Sequence, residues 1–209
     1  MALSLANLWA HVRGFGALCS ALAPAHPLRA LWAAYAALSV NAWTWSAVFH
    51  SRDTASTEAL DYFSADALLA FALFAALARA LRPRRPRLTA LAGAALLAGW
   101  VQHVAYLTLV RFDYGYNTRV CVALGAAHTA VWLAWAFATR HPLRGRLAAV
   151  LAAAHAASLL ELLDFPPLAG ALDAHALWHA ATPAATLAWY TFLAGDARHV
   201  TAADKFPRA

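Results

Sequence analysis

Charge is what this chain has least of. Asp, Glu, Lys and Arg make up 12% of its 209 residues, about half the share found in an ordinary soluble domain. With 63% hydrophobic residues and a mean hydropathy of +0.54, the composition excludes a water-soluble globular protein and implies a bilayer as solvent. Cysteine is nearly absent as well. Cys19 and Cys121 sit in or beside different apolar segments, which gives no basis for a disulfide framework and supplies no thiol set for zinc. The stretch from Met1 to Val12 lacks the basic start and small-residue cleavage site of a secretory signal. The net charge of +6 falls in short clusters between apolar runs. It forms no basic stripe with interleaved aromatics, so nucleic acid is not an expected partner.

What is present is a series of apolar runs. A membrane-crossing helix needs about 20 predominantly apolar residues, and seven segments are read here, six of them complete. The first, from Met1 to Val12, is a shortened helix that ends before Arg13. Pro24 and Pro27 break the chain before the second, about 28–49. The third covers about 60–80 and ends in the basic run Arg82, Pro83, Arg84, Arg85, Pro86, Arg87. The fourth (about 88–110), fifth (118–139), sixth (147–163) and seventh (172–193) follow, with Gly115 permitting a tight turn between the fourth and fifth. The expected architecture is all-α: residues 1–209 as a single seven-helix transmembrane bundle.

Lys and Arg favour cytoplasmic loops. Arg13, Arg29, the run Arg79 to Arg87, Arg140, Arg144, Arg146, Arg198, Lys205 and Arg208 lie on one side of this topology, against Arg52, Arg111 and Arg119 on the other. The sparsely basic side is therefore expected to be lumenal or extracellular, with the N-terminus out and the C-terminus in.

That same side collects the chemistry-bearing residues. In the stretch Asn41 to Asp66, Ser46 and His50 stand four apart, on one helix face if the run is helical. Asp61 opens the third segment. His175 and His179 begin the seventh at i, i+4, the spacing by which one helix offers two ligands to a metal. Each residue alone has a plainer reading: His50 as a helix C-cap favoured by the dipole, Ser46 bonded back to its own backbone, Asp61 as an ordinary first-turn acid. The histidine pair has fewer structural uses but needs a third ligand. His50 shares its leaflet; His103 is the rival, while His128 and His155 read as packed deeper in helices. Asp173 and Asp164 either orient a ligand or hold the turn. Thr182 and Pro183 are expected to kink the seventh helix. Ionisable groups gathered at one depth of a bundle mark a functional site.

The motifs NAWTWSAVFHSRD, TEALDYFSA, RFDYGYN, LLELLDFPPL, DAHALWH and a terminal DKF occur in the order found in the Per1-like family of post-GPI-attachment factors, and the chain resembles that family, within the CREST superfamily of membrane hydrolases. The resemblance implies a seven-helix GPI-anchor lipid remodelling hydrolase in the Golgi membrane, with the endoplasmic reticulum as the alternative, its site facing the lumen. The implied reaction is a phospholipase A2-type removal of the sn-2 acyl chain by a zinc-activated water. The implied metal ligands are His50, His175 and His179, holding Zn2+, with Ser46 and Asp61 catalytic. Its partners would be GPI-anchored proteins and their lipid anchors. The family's N-terminal signal peptide and Cys-rich lumenal segment have no counterpart here.

In that scheme Asp61 accepts or positions the water proton and Ser46 donates a hydrogen bond to the developing oxyanion. Two other readings use the same features. An alkaline-ceramidase-like amidase would share all five residues, and a non-enzymatic receptor or folding partner of GPI-anchored proteins would tolerate their loss.

Overall fold

The computed structural model describes residues 1–81, 85–167 and 172–205, with side chains through residue 200. The expected basic residues at 82 and 84, part of the LLELLDFPPL motif, and the terminal Phe206 and Arg208 lie outside the described residues. The described chain folds into seven helices: α1 (Ala2–Cys19), α2 (Arg29–Phe49), α3 (Ala55–Leu81), α4 (Pro86–Leu109), α5 (Tyr114–Ala138), α6 (Arg144–Leu163) and α7 (Ala174–Lys205). Four of them, α3 to α6, are long and apolar enough to cross a membrane by length and composition. The protein is a helical membrane protein.

The helix limits follow local chemistry. Pro86 opens α4, where its fixed φ fits and its missing N–H is no loss. Thr54 Oγ1 accepts from the Thr57 N–H ahead of α3. Asp113 caps α5 by accepting from the Tyr116 N–H at 2.8 Å, and Asp173 caps α7 by accepting from the Ala176 N–H at 2.7 Å. One expectation needs correction. The first segment does not end before Arg13 but continues as helix through Cys19. Arginine is a good helix former, and Arg13 lies on the exposed face of α1, where a long side chain is tolerated. Gly14 sits on the inner face of the same helix. A Cβ added there would fall 2.6 Å from Tyr190 Cγ, so the absent side chain is what lets α1 and α7 meet closely.

Pairwise packing closes a ring in the order α1, α2, α3, α5, α6, α7 and back to α1, while α4 leans on α3 from outside. Each ring helix contributes to one apolar core, through Leu18, Trp32, Ala76, Trp132, Leu147 and Phe192 in turn. Trp32 and Trp132 stack with centroids 6.4 Å apart. These residues come from the end of α1, the start of α2 and the late part of α7, so the apolar core fills one half of the bundle. That half is locked by a buried ion pair: Arg79 donates both Nε and Nη2 to Asp196 at 2.8 Å, with its guanidinium 4.4 Å over the Trp135 ring.

The opposite half is polar inside. Ser4, Asn7 and His11 of α1, Ser46 of α2, His103 of α4, Asn117 of α5 and His179 of α7 are all buried there. Of the helices that line it, α1, α2 and α7 are the three that are not among the four clearly apolar spans.

Candidate metal centre

Three imidazoles meet in the polar half. His50 is the C-cap of α2; His175 and His179 occupy the first two turns of α7, where i, i+4 spacing stacks them on one face. His175 Nε2 lies 3.3 Å from His50 Nε2 and 2.9 Å from His179 Nε2. One ligand atom from each ring falls within 4.8 Å of the others. Two nitrogens held at about 2.0–2.1 Å by one tetrahedral zinc stand roughly 3.3 Å apart. The donor set therefore fits a tetrahedral cation with a position left over.

The surroundings supply what such ligands require. His175 Nδ1 donates to Glu161 Oε2 at 2.7 Å, because an ionised carboxylate only accepts. In the neutral ring that leaves a bare Nε2, turned toward the other two rings. Burial first, and the His175 imidazole second, hold His50 below the ordinary imidazole value. Its neutral form is favoured, opposite to what a charged C-cap would need. Trp43 packs edge-on against His179, with ring centroids 5.4 Å apart. Asn7 Nδ2 donates to the His179 carbonyl at 2.8 Å, tying α1 to the backbone that carries this imidazole.

Ser46 and Asp61 are near the rings but not bonded to them. Ser46 is 5% exposed, and its hydroxyl donates to Ser4 Oγ at 3.2 Å. Asp61 is half-buried in the second turn of α3, within electrostatic reach of His175. Among the described residues it makes no side-chain hydrogen bond. Asp173 caps α7, and Asp164 ends α6 in a left-handed turn with φ of 41°; Glu161 takes the orienting role instead.

His103 is not part of this cluster. It bonds Asn117 Oδ1 at 2.8 Å and lies 3.2 Å from Asp66. His128 accepts from the Trp132 indole at 3.1 Å, and His155 pairs with Thr129 at 2.7 Å.

Sequence reasoning missed Ser4, Asn7, Trp43 and Glu161. A signal existed for the first two: Ser4, Asn7 and His11 recur at helical spacing, a polar stripe in a segment otherwise apolar. Glu161 was visible only as a single acid within Leu159, Leu160, Leu162 and Leu163.

The model of the Per1-like family matches residues 1–197. The protein named GPI-specific phospholipase A2-like PGAP3 in Danio rerio is 41% identical over 174 residues, 82% of this chain and 55% of that protein. Its Homo sapiens counterpart is 41% identical over 177 residues, 83% of this chain and 55% of its own length. The Protein PER1 homolog of Schizosaccharomyces pombe is 36% identical over 202 residues, 91% of this chain and 60% of that protein. The chain thus spans a little over half the length of the curated relatives it matches. No solved structure matches it. With a family match over nearly all its length and three imidazoles converging in the polar half of its helical ring, this chain belongs to the Per1-like family.

Proposed function

We propose that the protein is a zinc-dependent carboxylic ester hydrolase that remodels GPI-anchor lipids by removing the sn-2 acyl chain, in a phospholipase A2-type reaction. It crosses the Golgi membrane seven times with the histidine end facing the lumen. The observation that carries this reading is the convergence of His50, His175 and His179 Nε2 atoms, with Glu161 behind His175. The substrate class is that named for its relatives, the GPI-specific phospholipase A2-like PGAP3 proteins.

His50, His175 and His179 would hold the zinc. When bound, zinc supplies a Lewis acid that polarises an ester carbonyl and acidifies water. Glu161 keeps the Nδ1 proton of His175 and so keeps its Nε2 available. Asp61 receives the proton of the attacking water on its carboxylate. Ser46 turns its hydroxyl from Ser4 to the carbonyl oxygen as negative charge develops there. Water adds to the carbonyl carbon, the bond to the glycerol oxygen breaks, and that oxygen takes a proton, giving a free fatty acid and a lyso-anchor. A site at the level where α2 ends and α7 begins suits an sn-2 ester, which lies at the junction of head group and acyl chain.

The test is the anchor lipid composition of cells lacking this protein, rescued with wild type or with His179→Ala. Wild type restores the remodelled anchor and His179→Ala does not. Full rescue by His179→Ala rejects the reading and favours a receptor or folding role.

A further inference from the structure

We infer that the groove between α2 and α4 binds an anionic glycerophospholipid of the leaflet remote from the histidines, with one acyl chain in the groove and the head group at its arginine-bearing mouth. α2 and α4 both pack on α3 and, among the described residues, not on each other. They leave a cavity of about 320 Å³ whose floor is α3. Ala30 and Ala34 line it from α2, Phe71, Phe74 and Ala78 from α3, and Thr89 from α4.

The lining suits hydrocarbon and little else. Ala30 and Ala34, at i and i+4, put two short side chains on one face of α2, which keeps the groove wide. Phe74 lies against α4 at Gly93, where an added Cβ would fall 2.9 Å from the Phe74 ring, so that ring forms the wall toward α4. Thr89 is the polar group in the lining, and its hydroxyl already donates to the Arg85 carbonyl at 3.2 Å. Phe71 lies about 15 Å below the end of α3 at Leu81, at 1.5 Å rise per residue. That is about half of a 30 Å hydrocarbon core, the depth that one leaflet's acyl chains occupy. Ala30 and Ala34 are exposed, as are Leu88 and Leu91 of α4, so the groove opens sideways to lipid.

Charge at the mouth selects the head group. Arg29 opens α2, Arg85 immediately precedes α4, and Arg87 stands in the first turn of α4; all three are exposed. Arg29 donates to the Leu22 carbonyl at 2.8 Å. Arg85 and Arg87 make no side-chain hydrogen bond or ion pair among the described residues. Neither α2 nor α4 has an acid in its first turn, and Asp196, the carboxylate buried at this end, is already held by Arg79. Basic residues that flank a membrane helix attract anionic lipid heads, and guanidinium groups match phosphate oxygens in geometry as well as charge. An apolar slot below a positive mouth fits a molecule that is anionic at one end and hydrocarbon along the rest. A free phosphate satisfies only the mouth, and a zwitterionic lipid only the slot. On the orientation proposed above, the lipid comes from the cytoplasmic leaflet; the inference does not depend on the hydrolase reading.

Native mass spectrometry of the full chain in detergent micelles, titrated with dioleoyl phosphatidylserine, tests it. Dioleoyl phosphatidylcholine serves as the zwitterionic lipid with the same chains, and glycerophosphoserine as the head group alone. The expected result is saturable binding of phosphatidylserine, at least about tenfold tighter than phosphatidylcholine and not displaced by glycerophosphoserine at equal concentration. Ala34 is exposed on the groove wall, so Ala34→Phe fills the slot from its open side. Binding should fall at least about tenfold in Ala34→Phe and, separately, in the Arg85→Gln/Arg87→Gln double variant. It should be unchanged in Arg146→Gln, which removes an exposed charge from the start of α6. His179→Ala, which removes the proposed chemistry, keeps full binding, so failure here and failure of the hydrolase reading are separable. Phosphatidylcholine binding as tightly as phosphatidylserine, displacement by glycerophosphoserine, or an equal loss in Arg146→Gln overturns the proposal. So does wild-type binding by either Ala34→Phe or the double arginine variant.

Discussion

The side-chain amide of Asn7 donates to the backbone carbonyl of His179 at 2.8 Å, and that carbonyl is free to accept because Pro183, four residues on, has no N–H to give it. The proline expected to kink the seventh helix has a second consequence: it opens a hydrogen-bonding position at a proposed ligand, and α1 fills it. Thr182 Oγ1 adds a longer bond to the same oxygen at 3.3 Å. Asn7→Leu leaves the carbonyl poorly paired and is expected to cost about 1–3 kcal/mol. Pro183→Ala restores the helical donor, so it should recover most of that loss in the double variant. Thermal unfolding in micelles of the two single variants and the double checks it. Strict additivity of the two changes would refute the linkage.

Glu161 is the only carboxylate bonded to any of the three imidazoles among the described residues. Glu161→Gln can no longer hold the Nδ1 proton of His175 by charge, and second-layer carboxylates of this kind typically contribute about 10–100-fold to metal affinity. Zinc affinity measured by competition with a chromophoric chelator should fall within that range. Unchanged affinity would mean that Glu161 serves only the packing of α6.

Acid should act through His50. Its value lies below the ordinary 6.5 because the ring is partly buried and faces His175. The unfolded chain therefore takes up its proton first as pH falls, and stability declines through the range below about 6.5. Zinc competes with the same proton, so metal is lost in the same direction. Melting temperature of the metal-free protein from pH 7.5 to 5 should fall more steeply for wild type than for His50→Gln. Parallel curves would contradict the assigned shift.

Gly14 and Tyr190 set the distance between α1 and α7. A methyl group at residue 14 would overlap the Tyr190 ring and its Cβ, and overpacking of this kind costs typically about 1–3 kcal/mol. Gly14→Ala should lower the melting temperature, while Gly16→Ala, whose Cβ meets nothing within 4 Å, should not. Equal behaviour of the two variants would show that the helices can slide apart freely.

Arg79 and Asp196 lie in the half of the bundle remote from the histidines. Arg79→Met strands a fully buried carboxylate with His141 beside it, at 3.2 Å. Breaking a buried pair costs about 3–5 kcal/mol. The zinc content of whatever protein remains folded should match wild type. Loss of zinc in the folded fraction would mean that the two halves of the bundle are coupled.

The candidate site was partly legible before any coordinates. His175 and His179 announce themselves by i, i+4 spacing in an apolar segment, and His50 by ending a segment at the same membrane surface. Ser46 was legible as a residue but not in its bonding. Four residues from His50 on one helix, it was expected to converge with that ring, yet its hydroxyl bonds to Ser4. The reason is that a partner on another helix competes for the same proton, and no spacing within α2 reveals that partner. Arg13 misled in the same local way, since a charge in an apolar run reads as an end until the exposed face of the helix is known.

The amino-acid order by itself determined that this chain forms membrane helices, where most of them begin and end, and that His50, Asp61, His175 and His179 lie near helix ends that share one surface. All of these depend on the cost of burying charge and backbone in hydrocarbon, which each segment experiences alone. Only the tertiary structure decided which helices are neighbours: that α1 sits between α2 and α7 and brings Asn7 to His179, that α6 brings Glu161 to His175, and that α4 stands outside the ring, packed on α3 and bonded to α5 through His103 and Asn117. Lipid tails are as apolar as leucine, so an apolar face does not reveal whether it meets lipid or another helix. Close packing at small residues and hydrogen bonds between helices make that choice.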